Sequence, residues 1–340
     1  RQLSGPNTPS VDARLIGTRG GSPLPGSPLT ALNGTRSLVT GGAYDRARLN
    51  DGWLFRLPNS WTTGNVTLQF EVDPSRSHTD DALGNNTLSR AVSFQNQPPV
   101  CVWTVPVRTH TPLPSIADPN FNSMVDQFER RWPMPDTWIF RDTNPVEELQ
   151  VCWAGPFPYP CFGPYELQDG WGITNGPPDR DKVIISLWTR AQLSLNPDAC
   201  DDRGAPVHFM GLVHPQANNG GAAGYASTIS KQSWVQLPPQ SPNPAPTTWD
   251  QLVAGGVMAQ ELAHNFGRQH VDCGNPDDPD GSYPYPPCQI SDTGAEKYYG
   301  FDVANQTPIA PTDAADFMSY IGRRNWVSDY TWRALINKFT

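Results

Sequence analysis

The sequence predicts an α+β chain of two domains, a small β-sandwich followed by a larger domain that mixes helices and strands. Three observations carry that expectation. At 340 residues the chain exceeds one ordinary domain of roughly 150 residues. Val66, Leu68, Phe70 and Val72 fall on one face of a period-two ribbon, and Leu88, Val92 and Phe94 repeat the pattern. Beyond residue 106, stretches of helical period alternate with short apolar runs.

Residues 1–35 carry Gly, Pro, Ser and Thr with little periodicity, which predicts an extended N-terminal arm or linker. Residues 36–105 are then the sandwich, with the turn-rich stretch 73–86 between its two clearest strands. Residues 106–340 form the larger domain. A proline-broken connection near 106–119 leads to a short amphipathic helix over 121–131, a strand at 137–140, a helix over 182–193 and a strand over 208–213. The phrase Leu54-Phe55-Arg56-Leu57-Pro58, then Trp61 and the strand at 66–74, resembles the immunoglobulin-like adhesion sandwiches attached to bacterial secreted proteins. Such a module spaces or docks a neighbour rather than performing chemistry.

The net charge is −9, from 24 basic and 33 acidic residues, and no dense Lys/Arg cluster occurs. This composition makes nucleic acid and anionic lipid poor partners. No run of about 18 apolar residues occurs, so no membrane span is expected. The six cysteines include no C-x-x-C pair, which argues against cysteine-bound zinc. Their even number, with 152/161 and 273/288 closely spaced in Pro-rich loops, predicts disulfides and an extracellular location. Sequons at Asn33, Asn65, Asn85 and Asn305 permit glycosylation in a eukaryotic secretory route. No signal peptide is visible at Arg1, so a mature, processed form is expected.

The segment 248–273 is where chemistry concentrates. Thr247 and Thr248 supply a helix start, with Asp250 in the first turn. On that helix Gln260 and His264 are four residues apart and share a face, with Glu261 about 100° round. Gly267 can adopt a positive φ, reverse the chain and bring His270 back to the same point.

The run Gln260-Glu261-Leu262-Ala263-His264-Asn265-Phe266-Gly267-Arg268-Gln269-His270 resembles the H-E-x-x-H-x-x-G-x-x-H motif of the metzincin zinc peptidases, in every specified position but the first. Downstream, Asp316-Phe317-Met318-Ser319-Tyr320 is similar to their methionine turn, and the tyrosine resembles that of the astacin and serralysin branches. The Tyr283-Pro284-Tyr285-Pro286 loop and the tail 326–332 resemble a group of secreted bacterial metzincin-like proteins. The resemblance spans about residues 105–340. It implies zinc on His264 and His270 with Gln260 or water, Glu261 as general base, Met318 at the turn and Tyr320 near the metal. It also implies an extended peptide or protein substrate along an edge strand formed by Ala222, Ala223, Gly224 and Tyr225.

The departure at position 260 carries as much weight as the match. A neutral amide oxygen replaces an imidazole, a poorer match for zinc, at a cost of roughly 10²–10⁴ in affinity. Peptide-bond hydrolysis is therefore expected to be impaired or lost. Three explanations stay open: a natural pseudoenzyme, an engineered inactive variant, and an active site completed by Gln260 Oε1 or Tyr320. His208 and His214 sit in strand-and-loop surroundings that favour packing or solvent contact over replacing the missing ligand. The run Asp272, Asp277, Asp278, Asp280, Gly281 lacks the ordered spacing of a calcium loop and reads as a solvated acidic turn, with calcium left open. The alternative function is a non-catalytic extracellular binding or assembly subunit that self-associates through the arm at 1–35.

Overall fold

The structure, a computed structural model, describes residues 7–38, 44–80, 83–97, 99–109, 112–115, 117, 119–133, 137–145, 148–154, 157–163, 179–192, 200, 205–217, 222–226, 228, 230–238, 248–294, 297–320 and 324–338. The chain divides into two compact units. One comprises Arg1–Asn96 with Val303–Ala310, the other Gln97–Asp302 with Pro311–Thr340.

The first unit is antiparallel β-structure. Its strands are β1 (Thr8–Val11), β2 (Ala13–Arg19), β3 (Ser22–Pro23), β4 (Leu29–Thr30), β5 (Arg36–Leu38), β6 (Gly64–Val72) and β7 (Thr87–Phe94). β2 pairs with β6 in the register Leu15↔Phe70, and β6 pairs with β7 in the register Phe70↔Leu88. β3 and β4 both pair with β2, and β1 pairs with β5. Trp61 is fully buried with Leu24 and Val66, and Gly17 admits it: a Cβ there would stand 2.4 Å from the Trp61 ring. The arm expected over 1–35 is thus corrected. Residues 13–19 are a strand hydrogen-bonded along β6, so over its described part this segment belongs to the sheet. Its backbone pairing and a glycine under tryptophan hold it there, neither of which shows as apolar periodicity.

The second unit contains β8 (Val100–Pro106), α1 (Pro119–Glu129), β9 (Thr137–Arg141), β10 (Glu148–Ala154), β11 (Phe157–Gly163), α2 (Asp179–Gln192), β12 (Val207–Val213), β13 (Gly224–Ala226), β14 (Gln232–Gln236) and α3 (Thr248–Asn265). The short strands β15 (Gly300–Asp302), β16 (Thr307–Ile309), β17 (Ala315–Asp316) and β18 (Asn325–Trp326) follow, then α4 (Asp329–Ile336). Of these, β16 belongs to the first unit. The observed class is mixed α+β, as expected.

The central sheet has the order β13-β14-β12-β8-β9. Four strands run parallel, and β13 lies antiparallel at one edge. β8 is therefore a central strand of this sheet, which moves the boundary expected between 105 and 106 to Asn96/Gln97. On one face Val183 and Leu187 of α2 pack with Phe209, Val213 and Trp234. On the other lies α3. Gly255 and Gly256 let it approach closely: a Cβ at 255 would stand 2.4 Å from Gln127 of α1, and one at 256 would stand 2.2 Å from Asn325 of β18.

Disulfides join Cys101 to Cys200 and Cys273 to Cys288, the latter as expected from spacing. The side chains of Cys152 and Cys161 lie outside the described residues. Among the described residues no helix is long and apolar enough to cross a membrane.

Between the sheet and α3, His208 is buried against the Phe266 ring, with centroids 4.4 Å apart, and its Nδ1 lies 3.4 Å from Asn265 Oδ1. Burial pulls its pKa down to about 4 from 6.5, against the pull of the Asn265 contact. An unfolded chain protonates this imidazole near pH 6.5 and the folded chain only near pH 4. Stability therefore falls as the pH drops through that window and levels off below it. Denaturation midpoints between pH 7 and pH 4 are expected to fall less steeply for His208→Gln than for the parent, the difference amounting to roughly 3 kcal/mol across the window.

Candidate functional site

Helix α3 ends where the sequence places a left-handed residue. Gly267 has φ +79°, its N–H donates to the His264 carbonyl at 2.8 Å, and the Arg268 N–H reaches back to the Ala263 carbonyl at 3.0 Å. These crossed bonds form a Schellman motif, which satisfies two terminal carbonyls and turns the chain back over the helix end. The reversal brings His270 to His264. Their Nε2 atoms stand 2.9 Å apart, and the ring planes cross at 85°.

Each ring is oriented from its other side. His264 Nδ1 lies 2.6 Å from the Arg268 carbonyl oxygen, which only accepts, so Nδ1 carries the proton and Nε2 presents a lone pair toward His270. Burial pulls the His264 pKa down to about 4, the neighbouring His270 adds to that, and the Arg268 carbonyl opposes it. Burial also lowers His270, against the backbone carbonyl and carboxylate of Asp277. Both imidazoles are neutral at pH 7, the state a metal ligand requires.

Glu261 is buried on α3 beneath the edge strand. A Cβ at Gly224 would stand 2.8 Å from Glu261 Oε1, so only glycine lets β13 lie this close to the carboxyl group. Burial alone raises Glu261 to about 8. An adjacent cation would favour the charged carboxylate and pull that value back down. Of the four residues expected along the edge, Gly224 and Tyr225 lie in β13, while Ala222 and Ala223 precede it. The Ala223 carbonyl accepts from Gln236, and Ala222 and Tyr225 pack toward the α2 face.

The segment 316–320, expected as a methionine turn, is tied to the chain that follows His270. Met318 is fully buried, its N–H donates to Asp316 Oδ1 at 2.9 Å, and its carbonyl accepts from Val271 at 2.9 Å. Tyr320 donates its N–H to the Cys273 carbonyl at 2.8 Å and leans on His270, with ring centroids 4.4 Å apart and the phenol half exposed. His208 and His214 are not brought in: the first packs on Phe266, and the second accepts from the Gln216 N–H in its own turn. The acidic run is not a free cluster. Asp280 Oδ2 accepts from Arg268 at 3.1 Å and from the Tyr330 hydroxyl at 2.9 Å. The motif leaves position 268 unspecified, and nothing local in the sequence shows that Arg268 meets Asp280 and Tyr330.

The donor set tests the zinc that the family resemblance implies. Two imidazole nitrogens face one another within a few tenths of an ångström of the roughly 3.3 Å spacing of two nitrogens on one tetrahedral zinc. Gln260, buried on the same helix one turn before His264, offers only a neutral amide. Among the described residues no group of three or more His, Cys, Asp or Glu side chains converges on a metal-sized site. The set falls one imidazole short, and no hydrolytic step follows from it.

A Cβ at Gly267 would meet nothing closer than Lys338 Nζ at 3.8 Å, so substitution there is penalised by conformation alone. Gly267→Ala is expected to lower unfolding free energy by about 1 kcal/mol, and Gly267→Asn by less, in urea titrations.

No protein-family model matches this chain, and no curated protein matches it.

Proposed function

We propose that the second unit is a metzincin-type peptidase domain of a secreted protein, impaired in metal binding by Gln260, which still receives an extended peptide along β13. The carrying observation is the pair of Nε2 atoms 2.9 Å apart, with the Glu261 carboxyl group against the edge strand at Gly224. The four-parallel, one-antiparallel sheet, the reversal at Gly267 and the buried turn at Met318 support the same reading. The two disulfides support an oxidising, extracellular location. The first unit is read as an immunoglobulin-like spacer or docking module.

Of the three explanations for position 260, the geometry favours a disabled site. Gln260 puts a neutral amide at the first ligand position of the motif, and Tyr320, beside His270, is half exposed. A binding role then fits better than turnover, through β-augmentation at β13, the last strand of the sheet among the described residues. Self-assembly through the N-terminal arm loses its basis, because residues 13–19 are already paired in the sheet.

Metal analysis after zinc dialysis, with casein cleavage measured with and without a chelator, tests this reading. The parent chain is expected to retain well under one equivalent of zinc and to cleave nothing. Gln260→His is expected to bind one equivalent, roughly 10²–10⁴ more tightly, and to gain chelator-sensitive cleavage. A variant with three histidines that takes up no zinc would overturn the family reading, and a fully loaded, active parent would overturn the impairment.

A further inference from the structure

The two imidazoles are held by a segment of backbone that has its own anchor. Arg268 reaches past the helix end, and its guanidinium donates to Asp280 Oδ2 at 3.1 Å, with both side chains nearly buried. The guanidinium carbon also lies 4.8 Å from the centroid of the Tyr330 ring. Tyr330 donates its hydroxyl to the same Asp280 oxygen at 2.9 Å, and its ring meets Tyr283 edge-on at 5.5 Å. Asp280 acts twice. Its carboxylate takes Arg268, and its backbone N–H donates to the His270 carbonyl at 2.7 Å. Its other oxygen accepts from the Ser282 N–H at 2.9 Å, which fixes the carboxylate plane.

Segment 268–270 is thereby gripped at both ends. At 268 the backbone carbonyl orients His264 through Nδ1, and at 270 the carbonyl is tied to Asp280. The residues that aim both imidazoles thus meet at a single carboxylate, outside the metal position itself.

We propose that Arg268, acting through Asp280 and Tyr330, is a positioning residue that sets the tautomer of His264 and the facing geometry of the His264 and His270 Nε2 atoms. A lysine at 268 would keep a point charge for Asp280 and lose the planar group over Tyr330. A methionine would keep the apolar stem and lose both. That its purpose is metal ligation rests on the reading under Proposed function; the geometric role does not.

Long-range ¹H–¹⁵N spectra of the imidazoles test the geometric role in the full chain without metal. The parent is expected to show His264 wholly as the Nδ1–H tautomer, with a slowly exchanging ring proton. Arg268→Met is expected to mix the tautomers and lose that proton, Arg268→Lys to fall between, and the His208 signals to stay fixed. His264 signals unchanged in Arg268→Met, with only a lower melting temperature, would overturn the proposal. Should Arg268→Met fail to fold, Asp280→Asn and Arg268→Lys give the same readout with smaller changes, and parent-like His264 signals in both would overturn it equally. In the Gln260→His background, Arg268→Met is expected to weaken zinc binding about 10–100-fold. Absence of zinc binding by Gln260→His itself would defeat the metal reading and leave the tautomer result to decide the clamp.

Discussion

The candidate site hangs from the buried C-terminal half of α3. Met258, Ala259, Leu262 and Ala263 are all fully buried, and the helix packs against α1, β13, β14 and β18. Gly255 and Gly256 weaken a helix by roughly 1 kcal/mol each relative to alanine. Here they are needed, because any side chain would drive Gln127 and Asn325 away. Once the helix is fixed in this slot, Glu261 and His264 have fixed directions, and the left-handed step at Gly267 determines where His270 returns.

Buried polar groups then lock the pieces that the helix alone would not hold. Arg131 is 1% exposed, pairs through Nε with the carbonyl and side-chain oxygen of Asn325 at 3.1 Å each, and lies over Trp326. Burial lowers its pKa to about 10, so it still carries its charge at pH 7. Asp316 is fully buried and accepts from the Met318 and Ser328 N–H groups at 2.9 Å each, which ties the turn to the cap of α4. Ser328 in turn caps that helix by accepting from Thr331 at 3.1 Å. Trp132 adds an apolar bridge, stacked on Phe128 and leaning on Phe266 and Phe317. The site is an outcome of these long-range ties rather than of the motif alone.

That division explains what the sequence discloses. Helical spacing from 248 onward, the four-residue interval between Gln260 and His264, and a glycine three residues later are local signals, and the structure follows them. The pairing of residues 13–19 is not local: the strand Ala13-Arg14-Leu15-Ile16-Gly17-Thr18-Arg19 lacks alternation, and its place is set by β6 and by Trp61 over Gly17. Val100–Pro106 is nearly all buried, as a central parallel strand, and a continuous apolar run does not reveal which sheet it joins. Burial of Glu261 under Gly224, and the meeting of Arg268 with Asp280, arise only when separate parts of the chain come together.

The Nε2 atoms of two imidazoles, from residues six apart around one reversed turn, face each other 2.9 Å apart. Anomalous diffraction at the zinc edge, from zinc-soaked crystals of Gln260→His, tests directly whether they share a metal. One peak is expected about 2.0–2.1 Å from the Nε2 atoms of both His264 and His270. A peak elsewhere, or imidazoles aimed apart with no shared peak, would contradict it.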